Sequence, residues 1–424
     1  MTSGLALTFL GLLTIANYFL GRRRVLYPPF IYSAIWALDL VIFKVSPLEL
    51  NEVHPITWWV ITAGALVFSI GGWLTRFVPR AVIVTRVTEF SRPSAANLGR
   101  VILLSICILA VPFMLRDVAQ QGSGGTGSTL AAARTEYVEL ASEGKAADTV
   151  DSKLPLFSIC VTIICLIEKR DKVFWAAFLV SMVCCVLTTG RTWILMLLAA
   201  VAVVSMLKNK KDNITGIFKY GLIPFLFFVV LFIGLIFSNK DVSNFRGNNE
   251  AVVQNFTLAY IVTPIPALDY VLTHPSEYAH AANHTFSLFT YIAYQLGYEV
   301  KLSPALDIPI SVPWPTNVYT VYKFFFTDFG FLGMFIAFIV IGFCQSVIYR
   351  RAVAGGKISL YLCALLTFPT VMSIFDDQYT GIVFSLLKAS VLAVLYFCFL
   401  NRVHLGIRWP RFNLGIWPTR RGEI

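Results

Sequence analysis

From the amino terminus onward the chain alternates between long apolar runs and polar breaks, and the length of those runs is the first informative quantity. A helix needs about 20 mostly apolar residues to cross a bilayer, with ~17 as a working minimum. Eleven stretches come near or above that limit: residues 4–20, 30–45, 56–74, 98–115, 154–167, 173–188, 192–207, 217–237, 331–348, 358–374 and 379–400. The fifth is the shortest, and Lys153 and Lys169 at its flanks can snorkel to cover the deficit. The pattern predicts an all-α polytopic membrane protein of about 11 transmembrane helices.

Composition agrees. Of 424 residues, 57% are hydrophobic and only 13% charged, against about 25% charged in a soluble domain. Disorder and fibrous repeats are excluded by the same apolar content and by the lack of a short period. The net charge of +11 would suit nucleic acid, but its distribution supplies another reason. Arg22, Arg23 and Arg24 follow the first apolar run, which places the amino terminus outside. No basic residue precedes that run and no small-residue cleavage site follows it, so it reads as a retained helix and not a signal peptide. With the spans alternating, the cytoplasmic segments and the inner ends of their spans hold 23 Lys/Arg and 5 Asp/Glu, while the outer segments hold 9 and 17. Anionic inner-leaflet lipid accounts for the basic excess, and no nucleic-acid partner is expected.

The domain organisation follows. Residues 1–115 carry transmembrane helices one to four, 116–153 a first periplasmic loop, and 154–237 helices five to eight. Residues 238–330 form a large periplasmic loop with interfacial helices, 331–400 carry helices nine to eleven, and 401–424 are a basic cytoplasmic tail. Both long loops fall on the outer side, so that face is expected to work. Within the large loop, 251–272 and 286–296 are apolar and aromatic; the first suits an interfacial or re-entrant helix. Aromatics beside polar groups also suit sugars, which present CH faces and hydroxyls; interfacial anchoring is the plain alternative. All eight cysteines fall inside expected spans, which leaves no disulfide framework in the loops and gives them a packing role.

Arg191 is the most informative single residue. It opens the seventh helix at Thr188-Thr189-Gly190-Arg191-Thr192, on the side where Arg is scarce. A cation there opposes the helix dipole by about 0.3–1 kcal/mol, whereas an anion docked at the turn gains from helix amides and guanidinium together. Arg246, just past the eighth span, and Arg134, in the first loop, are further candidates for an anion; solvated surface charge is the alternative for both. His280 and His284 stand i, i+4 in the large loop. A zinc pair on a helix would have Glu beside the first His, but Ala281 is there, so no metal is expected and a single His is a candidate base. Asp328, at the start of the ninth span, and Asp376, beside Asp377 in the turn before the eleventh, are candidate acids or bases, with helix capping as the alternative. Asp39 and Lys388 lie inside spans and are expected to pair or to face a wet cavity. The run Gly122-Ser-Gly124-Gly125-Thr-Gly127 spells a dinucleotide fingerprint, but it follows a membrane helix with no strand before it and reads as a linker.

Three motifs carry a resemblance. Thr-Thr-Gly-Arg191-Thr-Trp opens a helix, Tyr260-Ile-Val-Thr-Pro-Ile-Pro-Ala-Leu-Asp269-Tyr stands in the large loop, and Pro315-Thr-Asn317-Val-Tyr319 precedes Thr-Asp328-Phe-Gly-Phe-Leu-Gly333. Their order, with the spans and the large late loop, resembles the Wzy-type O-antigen and oligosaccharide repeat-unit polymerases through most of the chain. The resemblance implies an integral-membrane, GT-C-like glycosyltransferase of the bacterial inner membrane, independent of metal or cofactor, working at the periplasmic face. It implies transfer of a growing glycan from undecaprenyl diphosphate to the outer sugar of another lipid-linked repeat unit. Implied partners are that lipid-linked oligosaccharide, membrane lipids, a chain-length regulator and a flippase. Carried over by motif, Arg191 comes first for binding substrate and Arg246 follows by location, with Arg134 a further candidate from its place in the first loop; Asn317 and Tyr319, in the third motif, would line the site, and the base stays open among His284, His280, Asp328 and Asp376. An O-antigen ligase-like transferase would share this architecture. A transporter or lipid-sugar flippase predicts matching halves and charges lining a midplane path, and no halves match by eye. A scaffold would have no reason to place Arg at a tight helix start.

Overall fold

The computed structural model describes residues 1–79, 93–121, 150–188, 191–222, 258–275, 285, 287–298, 310–380 and 383–400. Seven helices come first: α1 (Ser3–Leu20), α2 (Pro28–Val45), α3 (Pro55–Leu74), α4 (Pro93–Gln121), α5 (Val150–Glu168), α6 (Lys172–Leu187) and α7 (Arg191–Lys208). After a short helical piece at Ile214–Leu222 come α8 (Pro264–Thr273), α9 (Ser287–Gln295), a hairpin of β1 (Ile310–Ser311) and β2 (Pro315–Thr316), α10 (Val321–Val353), α11 (Lys357–Met372) and α12 (Val383–Val394). The hairpin is antiparallel, pairing Ile310 with Thr316 and Ser311 with Pro315.

Among the described residues, five helices are long and apolar enough to cross a membrane: Ser3–Leu20, Pro28–Val45, Pro55–Phe77, Asn97–Gln120 and Val321–Val353. Shorter apolar helices cover Lys172–Leu187, Thr192–Lys208, Lys357–Met372 and Ser385–Cys398. This is the all-α membrane architecture that the apolar runs predict. The expected span at 217–237 lies outside the described residues beyond Leu222. On α1, Leu5, Leu12, Ile15 and Phe19 are exposed, and on α4 Leu98, Ile102, Leu109 and Phe113. Such stripes are a liability in water and face lipid comfortably in a bilayer.

Local chemistry starts the helices. Thr2 caps α1, Pro28 and Pro29 open α2, and Asp171 caps α6 by accepting from the amides of Val173 and Phe174. Proline suits a first turn because its missing N–H would have no partner there. Two buried clusters then organise the bundle. One joins α1, α2, α3, α8 and α10 around Tyr32, Trp36, Phe68, Tyr322 and Phe338. The other joins α4 to α7 with α11 and α12.

Between lipid-soluble helices, small residues and buried polar bonds supply the specificity that a hydrophobic drive cannot. A Cβ at Gly71 would overlap the carbonyl of Ile339, and one at Gly342 the carbonyl of Phe68, so α3 and α10 meet at backbone distance. Asn17 of α1 donates to Pro29 O at 3.0 Å, Ser33 Oγ at 3.1 Å and Ser69 Oγ at 2.9 Å, and accepts from Trp73 Nε1 at 2.9 Å. Gln345 of α10 donates to Leu366 O at 3.2 Å and accepts from Thr370 Oγ1 at 3.1 Å, crossing to α11 beside Pro369.

Charged groups gather at one end of the bundle. Lys208 closes α5 by donating to Leu166 O and Ile167 O at 2.8 Å each. Arg100, buried, pairs with Asp171 at 2.9 Å. Partial desolvation pushes the Asp171 carboxyl up, but bonds from Arg100 and two helix amides outweigh it and hold it below its ordinary value. Asp212 accepts from the Leu26 amide at 2.8 Å and from the Tyr349 hydroxyl, binding the end of α7 to the α1–α2 connection and to α10. Burial raises its carboxyl above the usual range, ahead of those lowering bonds. The expected Asp39–Lys388 pair does not form: both Asp39 oxygens are buried without a hydrogen-bond partner, while Lys388 sits on an exposed face of α12. Of the cysteines, six are buried in helix packing as expected, but Cys344 is exposed and Cys398 half-buried.

Candidate functional site

At the opposite end, where α3 and α10 begin and α11 finishes, segments distant in sequence meet. The apolar stretch 251–272 contributes α8. Its Ile265, Ala267, Leu268 and Val271 are all fully buried against protein, so it is a docked helix and not one resting its apolar face on lipid. Proline at its first turn and the Thr263 carbonyl, which accepts from Ala267 N–H at 2.9 Å, start it. Asp269 fastens it: one carboxylate oxygen accepts from the His54 amide at 2.8 Å and from Thr57 Oγ1 at 2.5 Å, both at the start of α3. The other face of α8 packs Ala267 and Val271 on Val312 of the hairpin and on Tyr319. Aromatic contact between Tyr260 and Phe375, 5.9 Å apart, brings the preceding turn beside the segment that follows α11.

The start of α10 lies between these parts. The Val321 amide donates to Ser373 O at 3.0 Å, joining it to the end of α11. Tyr322 fills the notch left by Gly64 and donates to Ile61 O at 3.2 Å, while Tyr32 donates to the Tyr322 hydroxyl at 2.9 Å. Lys323 is 5% exposed, and its ammonium lies 3.5 Å from the Tyr319 ring centroid and 4.9 Å from that of Phe324. A desolvated ammonium over an aromatic face gains on the order of 2 kcal/mol. Buried hydroxyls of Thr263, Thr320 and Ser373 have no hydrogen-bond partner.

Asp328 does not open a helix as the sequence suggests. It sits in the first part of α10, which begins at Val321 and is two helices that meet at Gly330, where the backbone is not helical. There φ is 65°, a left-handed conformation that only glycine adopts without strain. Asp328 Oδ2 accepts from the Thr285 amide at 2.7 Å, and Oδ1 is buried without a partner. Asp376 accepts from the Asp377 amide and from Gln378 Nε2, each at 2.7 Å. Its buried neighbour Asp377 accepts from the Tyr379 amide at 2.8 Å, from the Thr380 amide at 3.2 Å and from the Thr380 hydroxyl, so this acid closes the turn.

Of the residues singled out in the sequence, Asn317, Tyr319, Asp328 and Asp376 thus fall on α10, its lead-in, and the turn after α11. Asn317 is exposed and open to a polar ligand, whereas Tyr319 is buried and serves as the platform under Lys323. Arg191 opens α7 as expected from the sequence. Arg134, Arg246, His280 and His284 lie outside the described residues. Lys323 is the residue that the sequence reading passed over. Its signal was available: a lone cation inside the aromatic run Tyr319-Thr-Val-Tyr-Lys323-Phe.

No family model matches this chain. No solved structure matches it either. Among curated proteins, the chain is similar to an O-antigen polymerase of Shigella dysenteriae, 25% identical over 233 residues, which is 53% of this chain and 56% of that protein. The chain therefore spans about half the length of the curated relative that it matches.

Proposed function

We propose that this chain assembles surface polysaccharide as an integral-membrane glycosyltransferase, polymerising undecaprenyl-diphosphate-linked oligosaccharide repeat units. The observation that carries the reading is the similarity to the Shigella dysenteriae O-antigen polymerase. The docked late segment supports it, since it gathers a buried cation, carboxylates and an exposed amide side chain at one end of the bundle. The charge distribution supports that end facing outward and a cytoplasmic carboxyl tail, and the similarity to the O-antigen polymerase supports the bacterial inner membrane, with the outward end in the periplasm.

In the reaction, a hydroxyl of the acceptor's sugar attacks the anomeric carbon of the donor glycan. A new C–O glycosidic bond forms, the C–O bond to the carrier diphosphate breaks, and its electron pair leaves with the diphosphate. The hydroxyl proton passes to a base, for which His284, His280, Asp328 and Asp376 are the candidates. Negative charge grows on the leaving group, where fixed cations act most strongly. Arg191, Arg246 and Arg134 are assigned that role, and Asn317 the hydrogen bonding of a sugar hydroxyl.

The test is the surface glycan ladder of cells lacking the gene, complemented with wild type or Arg191→Ala at matched protein level. Deletion should leave a single repeat unit, and Arg191→Ala should fail to restore the ladder, by about two orders of magnitude or more in rate. A normal ladder without the gene would sink the proposal.

A further inference from the structure

Beside the break in α10, the short helix α9 turns large apolar side chains outward. Phe289, Ile292 and Leu296 are exposed, Leu296 to 71%, and their i, i+3, i+7 spacing sets them on one face. Tyr294 and Tyr298 are exposed as well. A glycine cap ends the helix: Gly297 is left-handed at φ 87°, and Tyr298 N–H donates to Ala293 O at 3.1 Å. From Thr285 to Tyr298 the sequence has no charged residue. Such a face is a liability in water. Its nine residues are too few to cross a bilayer, which takes about 20.

The place where α9 is fastened points to its partner. The Thr285 amide, two residues before α9, donates to Asp328 Oδ2 at 2.7 Å, and Asp328 stands two residues before the break at Gly330. Phe326 and Phe331, with ring centroids 4.7 Å apart, pack across that break. Immediately beyond it, Leu332, Ile336 and Val340 recur every four residues as an exposed stripe, Leu332 at 74%. That stripe belongs to a helix long and apolar enough to span, so it faces lipid. The Asp328 bond therefore holds the start of α9 at the depth where lipid contact on α10 begins. Aliphatic side chains at that depth enter the acyl boundary, while tyrosine hydroxyls stay among the headgroups.

We infer that α9 is an interfacial helix whose exposed face docks on the phospholipid of the adjoining leaflet, and that Asp328 positions it there through the Thr285 amide. The face is continuous with the lipid-facing stripe of α10 and carries no charge. Its occupant is therefore the acyl–headgroup boundary of zwitterionic lipid, without need of an anionic head. This inference needs the membrane class alone and goes beyond the polymerase reading.

The full chain, with p-benzoylphenylalanine in place of Ile292 or Leu296, is irradiated in phosphatidylcholine nanodiscs, and intact-mass spectrometry reads the adducts. Leu332 serves as the lipid-facing reference position and exposed Glu52 as the polar one. Ile292 and Leu296 should give phosphatidylcholine adducts close to the Leu332 yield and several-fold above that of Glu52. Asp328→Ala should lower the Leu296 adducts several-fold and leave those at Leu332 unchanged. Yields at the Glu52 level from both α9 positions overturn lipid docking, and that result does not depend on the folding of Asp328→Ala. An unchanged Leu296 yield in folded Asp328→Ala overturns the positioning role. A chain-to-chain crosslink in place of the lipid adduct would make this face an interface between copies. Replacement of phosphatidylcholine by undecaprenyl diphosphate, added as a minor component, would make it a groove for the carrier. Either of these outcomes overturns the assignment to leaflet phospholipid.

Discussion

Asp269 fastens α8 to α3 through one carboxylate oxygen, which receives both the His54 amide and the Thr57 hydroxyl. Thr57 is fully buried, so removing its acceptor leaves a hydroxyl without a partner. Such a loss costs about 1–3 kcal/mol. Asp269→Ala is therefore expected to lower the thermal midpoint of the detergent-solubilised protein and to shorten the glycan ladder. Asp269→Asn, which keeps an acceptor oxygen, should lie between wild type and the alanine variant. Unchanged unfolding and an unchanged ladder in Asp269→Ala would show that α8 is held by packing alone. Sequence indicated Asp269 only as part of a motif. Its work became visible when the acceptor and its donors, 215 and 212 residues apart in the chain, were placed together.

At the scale of elements, the α3–α10 contact is set by glycine and not by large side chains. Gly342 meets the Phe68 backbone and Gly71 meets the Ile339 backbone, each closer than a methyl group allows. Gly342→Ala must push two helices apart beneath the candidate site, at a cost of about 1–3 kcal/mol for overpacking. Gly11→Ala, with nothing within 4 Å of the added carbon, is the matched control. Thermal unfolding should separate the two variants by several degrees, and equal midpoints would refute close backbone packing. Helix existence was legible here from run length. The sequence also separates a loop ending at Gly330 from a span beginning at Phe331, and the backbone leaves helical geometry at that glycine; less legible was that the end of the loop, from Val321, is itself helical. Local hydropathy marks where lipid begins; it does not mark where hydrogen bonding along the backbone begins.

Over the whole molecule, charge divides the two ends. Arg76 donates to Leu20 O at 2.6 Å, Arg350 donates to Thr75 O, and Lys208, Arg100 and Asp212 bind neighbouring connections at the same end. Of these, Arg76, Arg350, Lys208 and Arg100 donate to backbone carbonyls at or near helix ends, and such cations would meet anionic headgroups there. The proposed topology predicts that alkaline phosphatase fused after residue 317 is active, while a green fluorescent reporter at the carboxyl terminus fluoresces. The reverse pattern would invert the proposed orientation and move the candidate site to the cytoplasm.

Much of this protein was written along one dimension. Run length is compared with a bilayer thickness, and the side on which Lys and Arg collect depends on a simple count, so the membrane class and the helical architecture followed from sequence alone. Tertiary structure decided which polar groups are neighbours. Lys323 lies over Tyr319, Ser373 reaches Val321 from the end of another helix, and Asp39 is left without Lys388, because each outcome depends on which helix faces pack together. A period or a composition cannot express that. It requires shape, in the form of glycine notches, a left-handed bend and a docked ten-residue helix, to choose among the contacts that the same apolar runs would permit.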